Sequence, residues 1–479
     1  MAAQTGLMMN TATTTAATTS GTSSAQTKLP FETPLAADAA NAQTLTQAAA
    51  LLTRLFKGLT IPVSIRLWNG TALTVGNLAN SATAKKLGSL KTFTLVCRSP
   101  AAVRAMVMGT DPLRLAEVYF RDEVDIEGNF FAALGLKDHL QAIRLSWRDR
   151  VQAIAAALQL SWADRAALPV KAERNALHST SVKLHSKAEN RDAIAFHYDV
   201  SNDFYALWLD DAMVYSCAYF EHADISLANA QQAKLDHVCR KLMLRPGDKL
   251  LDIGCGWGAL AIHAAQHYGV QAHGITLSKR QLALARERVA QAGLQNVVTL
   301  ELRDYRDLDG EGAYDKVSSV GMFEHIGLNN LPVYFAKVHH LLKPGGLFLN
   351  HGITHDVEGW EKTLSSEFIN RYVFPDGQLD TVSNIQRVME RAHFEITDVE
   401  SLRPHYALTL RHWVARLEQH HDEALQYVTE ATWRIWRLYM AACALEFESG
   451  EIGVYQVLAS KRAGCLAALP LTRQHLYSV

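Results

Sequence analysis

Between Lys249 and Leu349, short apolar runs alternate with longer amphipathic ones. Lys249–Ile253, Val270–Thr276, Val297–Leu302, Lys316–Val320 and Leu347–Leu349 read as five strands. Ala259–Ala265, Lys279–Ala292 and Leu331–Leu342 read as helices, the last stopped by the cation, Pro and Gly of Lys343-Pro344-Gly345-Gly346. Strands alternating with helices of about 10–15 residues imply a parallel, doubly wound α/β sheet.

Upstream the pattern changes. Leu45, Leu51, Leu52, Leu55 and Phe56 recur at helical spacing over Leu45 to Leu59. Ile61 to Trp68 and Thr71 to Val75 are strand-like and flank Asn69-Gly70, a hairpin signal. Thr92 to Cys97 adds a strand, Ala101 to Met108 and Leu113 to Phe120 add helices, and Asp122 to Gly128 closes the unit. This predicts a small α+β domain over residues 45–135 with no catalytic constellation. It suits a scaffold or dimerisation module and equally a lipid-docking unit.

Residues 136–190 read as a helical linker. Arg144, Arg148, Arg150 and Arg165 with Trp147 and Trp162 make either a solvated helix face or a face for anionic lipid. Residues 1–27 carry no charged side chain and are dominated by Thr, Ala and Ser. They lack the basic start and apolar core of a secretory signal, so residues 1–44 are expected to be a disordered tail.

Composition narrows the picture. With 479 residues and 48% hydrophobic content, two or three ordinary globular domains are expected. A net charge of −1 exerts no global pull on nucleic acid, and no nucleic-acid partner is expected. Six scattered cysteines with no C-x-x-C pair argue against a disulfide framework and a cysteine metal site, and suit a reducing compartment. No uncharged apolar run approaches the ~20 residues of a membrane span. A cytoplasmic protein, at most resting on a membrane surface, is the expectation.

The chemistry centres on Asp252-Ile253-Gly254-Cys255-Gly256-Trp257-Gly258, where a strand runs into alternating glycines and then a helix. Such glycines let the backbone turn tightly and approach a ligand without a Cβ in the way. The helix start offers free N–H groups at the carboxyl end of the sheet, where open α/β sheets bind ligands. The spacing is not that of a dinucleotide site. The second strand also ends in Thr276-Leu277-Ser278-Lys279-Arg280-Gln281 without the acid that grips a dinucleotide's ribose. A smaller nucleoside ligand fits, and S-adenosylmethionine is the obvious one. Thr276, Ser278 and Gln281 are polar contacts available to it.

Residues 190–460 resemble the cyclopropane fatty acid synthase family, including the mycolic acid cyclopropane synthases. The resemblance is carried by Phe196-His197-Tyr198-Asp199, Tyr215 to Phe220, Ala230-Gln231-Gln232-Ala233-Lys234 and the Asp252–Gly258 loop. It continues through Thr276 to Lys279, Asp304 to Leu308, Gly321-Met322-Phe323-Glu324-His325, His351 with Ile353, and Pro404-His405-Tyr406. The upstream domain is like that of the phospholipid-acting bacterial members. The resemblance implies a class I S-adenosylmethionine-dependent methyltransferase domain, Rossmann-like, with a helical cap, over residues 191–470. It further implies that a methylene group is added to the cis double bond of unsaturated acyl chains in membrane phospholipid, through a carbocation. Family members are often dimers at a membrane surface, so the resemblance also implies a peripheral homodimer.

By the same resemblance, the base is a bound bicarbonate cradled by Cys217, Glu324, His351, Tyr406 and the backbone of Ile353. Glu324 when ionised can only accept, so it would take the bicarbonate O–H, while His351 and Tyr406 can donate. Cys443 matches a cysteine treated as catalytic in the family; the mechanism requires no thiolate, so it reads as pocket lining. Contacts to S-adenosylmethionine would come from Tyr215, Ser216, Asp252, Gly254, Cys255, Gly256, Thr276, Leu277, Ser278, Gln281, Tyr305 and Arg306. The mycolic acid enzymes have Trp-Glu where Tyr305-Arg306 stands. Residues 356–447 are expected to supply helices that cap the sheet and form an apolar acyl slot. Of the aromatic residues before the loop and after the fifth strand, two or three are expected to face the reaction.

Overall fold

The computed structural model describes residues 34–56, 62–76, 93–108, 112–136, 200–358, 364–373, 377–464 and 469–477, with the single positions 59, 155 and 157. The linker face at 144–165, the Phe196–Asp199 motif and Phe374 lie outside the described residues.

The upstream unit is a four-stranded sheet of β1 (Val63–Arg66), β2 (Ala72–Val75), β3 (Phe93–Cys97) and β4 (Val124–Gly128), in the order β2-β1-β3-β4. The β1–β2 hairpin turns at Gly70, whose φ is +88° and whose N–H donates to Leu67 O at 2.8 Å. Its core joins Leu51 and Leu52 to Val63, Ile65 and Val103. The first helix runs Pro34–Leu55, so it begins inside the segment expected to be a disordered tail. Its own Ala48, Leu51 and Leu52 are buried against the unit's core, and that apolar stripe is what holds the helix.

The second sheet has seven strands, which lie side by side in the order Phe394–Ser401, Ile452–Lys461, Leu342–His355, Tyr314–Val320, Lys249–Ile253, Gln271–Thr276 and Val298–Leu302. The five expected strands are parallel: β5 (Lys249–Ile253), β6 (Gln271–Thr276), β7 (Val298–Leu302), β8 (Tyr314–Val320) and β9 (Leu342–His355). Along β5 the faces alternate. Leu250 packs toward the helices Leu227–Lys241, Ala259–Tyr268 and Lys279–Gln291, whereas Leu251 and Ile253 pack toward Leu331–Leu341 and Val382–Arg391.

Three expectations need correction. The sheet is mixed, because β10 (Phe394–Ser401) and β11 (Ile452–Lys461) join it antiparallel beyond β9. Residues 356–447 therefore contain a strand as well as helices. The fifth strand is also far longer than Leu347–Leu349, because pairing with both β8 and β11 gives its whole length hydrogen-bond partners.

Helices Arg403–Gln419 and Glu430–Ser449 pack on each other as a cap. The cap's core also takes Tyr119, Phe120 and Phe130 from the upstream unit. Arg434, nearly fully buried, donates to Asp122 Oδ1 at 2.6 Å and to the carbonyls of Tyr119 and Val124. Arg437 lies 3.9 Å from the Phe130 ring centroid. The upstream unit is thus keyed into the cap by two cations and three aromatic rings.

Candidate active site

The glycine loop is shaped by backbone demands that side chains cannot meet. Gly254, Gly256 and Gly258 have φ of +81°, +55° and +82°. The N–H groups of Gly254 and Cys255 both donate to Ile275 O, at 2.9 and 3.0 Å, which ties the loop onto the end of β6. Gly274 makes room for this, since a Cβ there would stand 2.9 Å from the Cβ of Cys255 and 2.7 Å from Leu300.

A cavity opens behind the loop. Tyr215, Ser216, Asp252, Gly254, Cys255 and Gly256 line one part of it. Thr276, Leu277, Gln281, Tyr305 and Arg306 line the part nearer β6 and β7. Ser278 is the exception among the expected contacts and is not a lining residue. Its hydroxyl accepts from Gln281 N at 3.3 Å and caps the helix Lys279–Gln291. Asp252 is buried and accepts from Ser318 Oγ at 2.7 Å; burial lifts its carboxyl to about 6. Arg306 folds back on Asp304 with bonds of 2.9 and 2.7 Å. Trp257 lines the cavity beside Tyr215, while Phe204, Tyr205 and Trp208 are buried core.

A second group gathers at the carboxyl end of β8 and β9. Glu324 sits on a single turn, Phe323–His325, just past β8. Its Oε1 accepts from Ile353 N at 2.8 Å, and its Oε2 is buried with no hydrogen-bond partner among the described residues. Burial pushes this carboxyl up to about 7, against the pull of the Ile353 N–H. Gly352 is what lets the turn come so close: a Cβ there would stand 2.0 Å from the Phe323 ring.

His351 is two residues back on the same face of β9, 2% exposed. Gln456, directly opposite on β11, brings its Nε2 to 3.2 Å from His351 Nδ1. Burial, with Lys234 and Lys241 nearby, pushes the imidazole down to about 3, so it is neutral and able to donate.

The other three expected residues meet in the core under the cap. Val454 faces Ile353 across the β9–β11 ladder, and its carbonyl accepts from Leu402 N. The Leu402 carbonyl in turn accepts from Tyr406 N at 3.1 Å and lies 3.7 Å from Cys217 Sγ. Tyr406 packs against Phe447 with ring centroids 4.7 Å apart. Cys443 projects into the same apolar cluster as Cys217, Tyr406 and Ile353. Burial holds both thiols far above their ordinary value, and no cation acts on Cys443 to favour a thiolate. The chemistry available is therefore a nucleotide-like cavity, a buried carboxylate past β8 with one oxygen free among the described residues, and an aromatic, apolar cluster under the cap.

A family model described as mycolic acid cyclopropane synthetase matches residues 185–457. The chain belongs to this family. Within the cyclopropane synthetases it is 52% identical over 298 residues to the "Probable fatty acid methyltransferase" of Pseudomonas putida, covering 62% of this chain and 76% of that protein. It is 43% identical over 267 residues to the cyclopropane-fatty-acyl-phospholipid synthase of Escherichia coli K12, covering 55% of this chain and 66% of that one. Among solved structures, mycolic acid cyclopropane synthase CmaA1 complexed with SAH and CTAB superposes with a TM-score of 0.54 at 35% identity, covering 57% of this chain and 98% of that one. The synthetase fold, a class I methyltransferase sheet, is thereby shown for the downstream unit.

Several lining residues were not among the expected contacts, Lys234 and Met322 with them. Lys234 falls on the buried face of its helix with Ala230, Gln231, Leu235 and Val238. A lysine in register with apolar positions, closing the Ala230 to Lys234 motif, was the available signal. Met322 packs 3.3 Å from where a Gly254 Cβ would be; it stands in the Gly321 to His325 motif, which gave it no role of its own.

Proposed function

We propose that the protein transfers the activated methyl group of S-adenosylmethionine to the cis double bond of unsaturated acyl chains in membrane phospholipid, closing a cyclopropane ring. The observation that carries this reading is the free Glu324 oxygen, held in an apolar compartment next to the glycine-loop cavity. The names of the Escherichia coli relative and of the SAH-bound synthase support it.

An alkene is a weak nucleophile, and its attack on a methyl group leaves a carbocation that water would trap. The protein must therefore orient the donor, exclude water and hold a proton acceptor. Tyr215 and Trp257 line the donor cavity, where ring faces favour a sulfonium. The cluster of Cys217, Tyr406, Phe447 and Cys443 keeps the alkene side dry. Glu324 has an orphaned oxygen that can accept an O–H, and neutral His351 can donate; the Ile353 N–H is given to Glu324, so its backbone would offer the carbonyl, and Cys217 and Tyr406 would complete the cradle for a small oxyanion from the cap side. Bicarbonate bound there would supply the base for the proton that leaves the added methyl group.

A second reading is methyl or methylene branching without ring closure, favoured by the name of the Pseudomonas putida relative. Only the fate of the cation differs. We also propose that the protein works as a homodimer at a membrane surface; among the described residues no helix is long and apolar enough to cross a membrane. The test is incubation of purified protein with methyl-labelled S-adenosylmethionine, bicarbonate and unsaturated phospholipid vesicles, followed by mass analysis of the acyl chains. A ring-bearing chain with one added carbon is expected. An added carbon without a ring selects the second reading, and no incorporation overturns both.

A further inference from the structure

Lys234 is 3% exposed, yet it lines the glycine-loop cavity. Its ammonium has three protons to place. One goes to Ser216 Oγ at 3.0 Å, a neutral acceptor. Asp210 and Asp252, the two carboxylates whose charge acts on it, make no hydrogen bond to it among the described residues and accept from other groups. Asp210 accepts from Ala212 N at 3.1 Å and Val214 N at 2.9 Å, and Asp252 accepts from Ser318. Both act on Lys234 only through space, and burial draws its ammonium down to about 8, so it stays largely charged at neutral pH. A buried cation whose hydrogen-bond partner among the described residues is a hydroxyl calls for an anion.

Its position says which anion. In the sheet, β5 stands between β6 and β8. Thr276, Tyr305 and Arg306 line the cavity from the β6–β7 side. Lys234 holds Ser216, and the next residue, Cys217, has its Sγ 3.7 Å from the Leu402 carbonyl; Leu402 N donates to Val454 O in β11, opposite Ile353 in β9, so this end lies toward β9 and β11. A donor with its nucleoside against β6 and β7 would extend its amino-acid end toward Lys234 and Ser216. A lysine suits that end, being a compact point charge at the tip of a flexible stem.

We propose that Lys234, together with Ser216, binds the α-carboxylate of the methyl donor and so sets where its sulfonium lies relative to Glu324. This rests on the cavity being the S-adenosylmethionine site. A free oxyanion such as bicarbonate shares the chemistry, and the test separates the two.

The test is calorimetry on the full chain, in bicarbonate-free buffer, with S-adenosylmethionine and with its decarboxylated analogue, which differs only in lacking that carboxylate. The unaltered protein is expected to bind the complete donor about 10- to 100-fold more tightly. Lys234→Met keeps the aliphatic stem and removes the charge. It is expected to lose that discrimination, with weaker binding of the complete donor and little change for the analogue. Equal affinity of the unaltered protein for both ligands overturns the inference without recourse to any variant. A Lys234→Met protein weakened equally toward both shows a merely structural lysine and overturns it too. Intact discrimination in Lys234→Met, with loss of the bicarbonate dependence of turnover, assigns the ammonium to the free anion instead. Binding of neither ligand by the unaltered protein overturns the donor reading itself, and the inference with it.

Discussion

Replacing Glu324 with Gln should abolish turnover while making the protein more stable at alkaline pH. The two oxygens of Glu324 are not equivalent. Oε1 accepts from Ile353 N, and a Gln carbonyl keeps that bond; Oε2 is buried without a partner, and an amide NH2 carries no charge there. Burial raises the carboxyl from 4.5 to about 7. The folded protein therefore keeps a proton that the unfolded chain releases in that interval. Stability from this group is complete below pH 4.5 and is lost as pH rises through 7. At 1.36 kcal/mol per pH unit the full loss is about 3 kcal/mol, most of which falls between pH 5 and pH 8. Urea denaturation of both proteins at the two pH values reads this directly, because every other titrating group is common to both. The variant should gain about 2–3 kcal/mol on the unaltered protein between pH 5 and pH 8. A difference that does not change with pH would mean that Glu324 is not a desolvated carboxylate, and the reasoning fails. Turnover close to that of the unaltered enzyme would remove Glu324 from the chemistry.

Three further outcomes are expected. Cys443→Ser should retain substantial turnover, because its thiol is buried and lacks a cation to ionise it; a loss as severe as that of Glu324→Gln in a parallel turnover assay would contradict this. Gly352→Ala places a Cβ 2.0 Å from Phe323 and 2.9 Å from Glu324 Oε1, and β9 cannot yield between two neighbours. It should cost about 1–3 kcal/mol of stability and lower kcat far more than affinity for S-adenosylmethionine; unchanged kcat refutes the packing argument. Arg434→Met should loosen the upstream unit from the cap by about 2 kcal/mol, less than for a fully buried pair because Asp122 is 42% exposed. A lowered urea midpoint for the contact checks it, and an unchanged one refutes it.

The strands β5 to β8 could be read within two residues of their ends because each is a short apolar run closed by turn residues. The glycine loop was equally legible, since positive φ at three alternate positions leaves few residues but Gly. Ser278 was read as a ligand contact, whereas in the fold its hydroxyl caps the helix that follows it, a local partner close at hand. Local patterning stops where burial on both faces begins. Leu347 to Gly352 is buried throughout, so β9 shows no alternation to mark its length, and β10 and β11 acquire their meaning only by pairing beyond it. Glu324 was placed in the site by the family motif alone, and Lys234 stood in a motif without a role, because both are residue types usually found in solvent. Only the folded chain strips them of water, and that desolvation is what turns an ordinary ammonium and an ordinary carboxylate into groups able to hold an anion and an O–H.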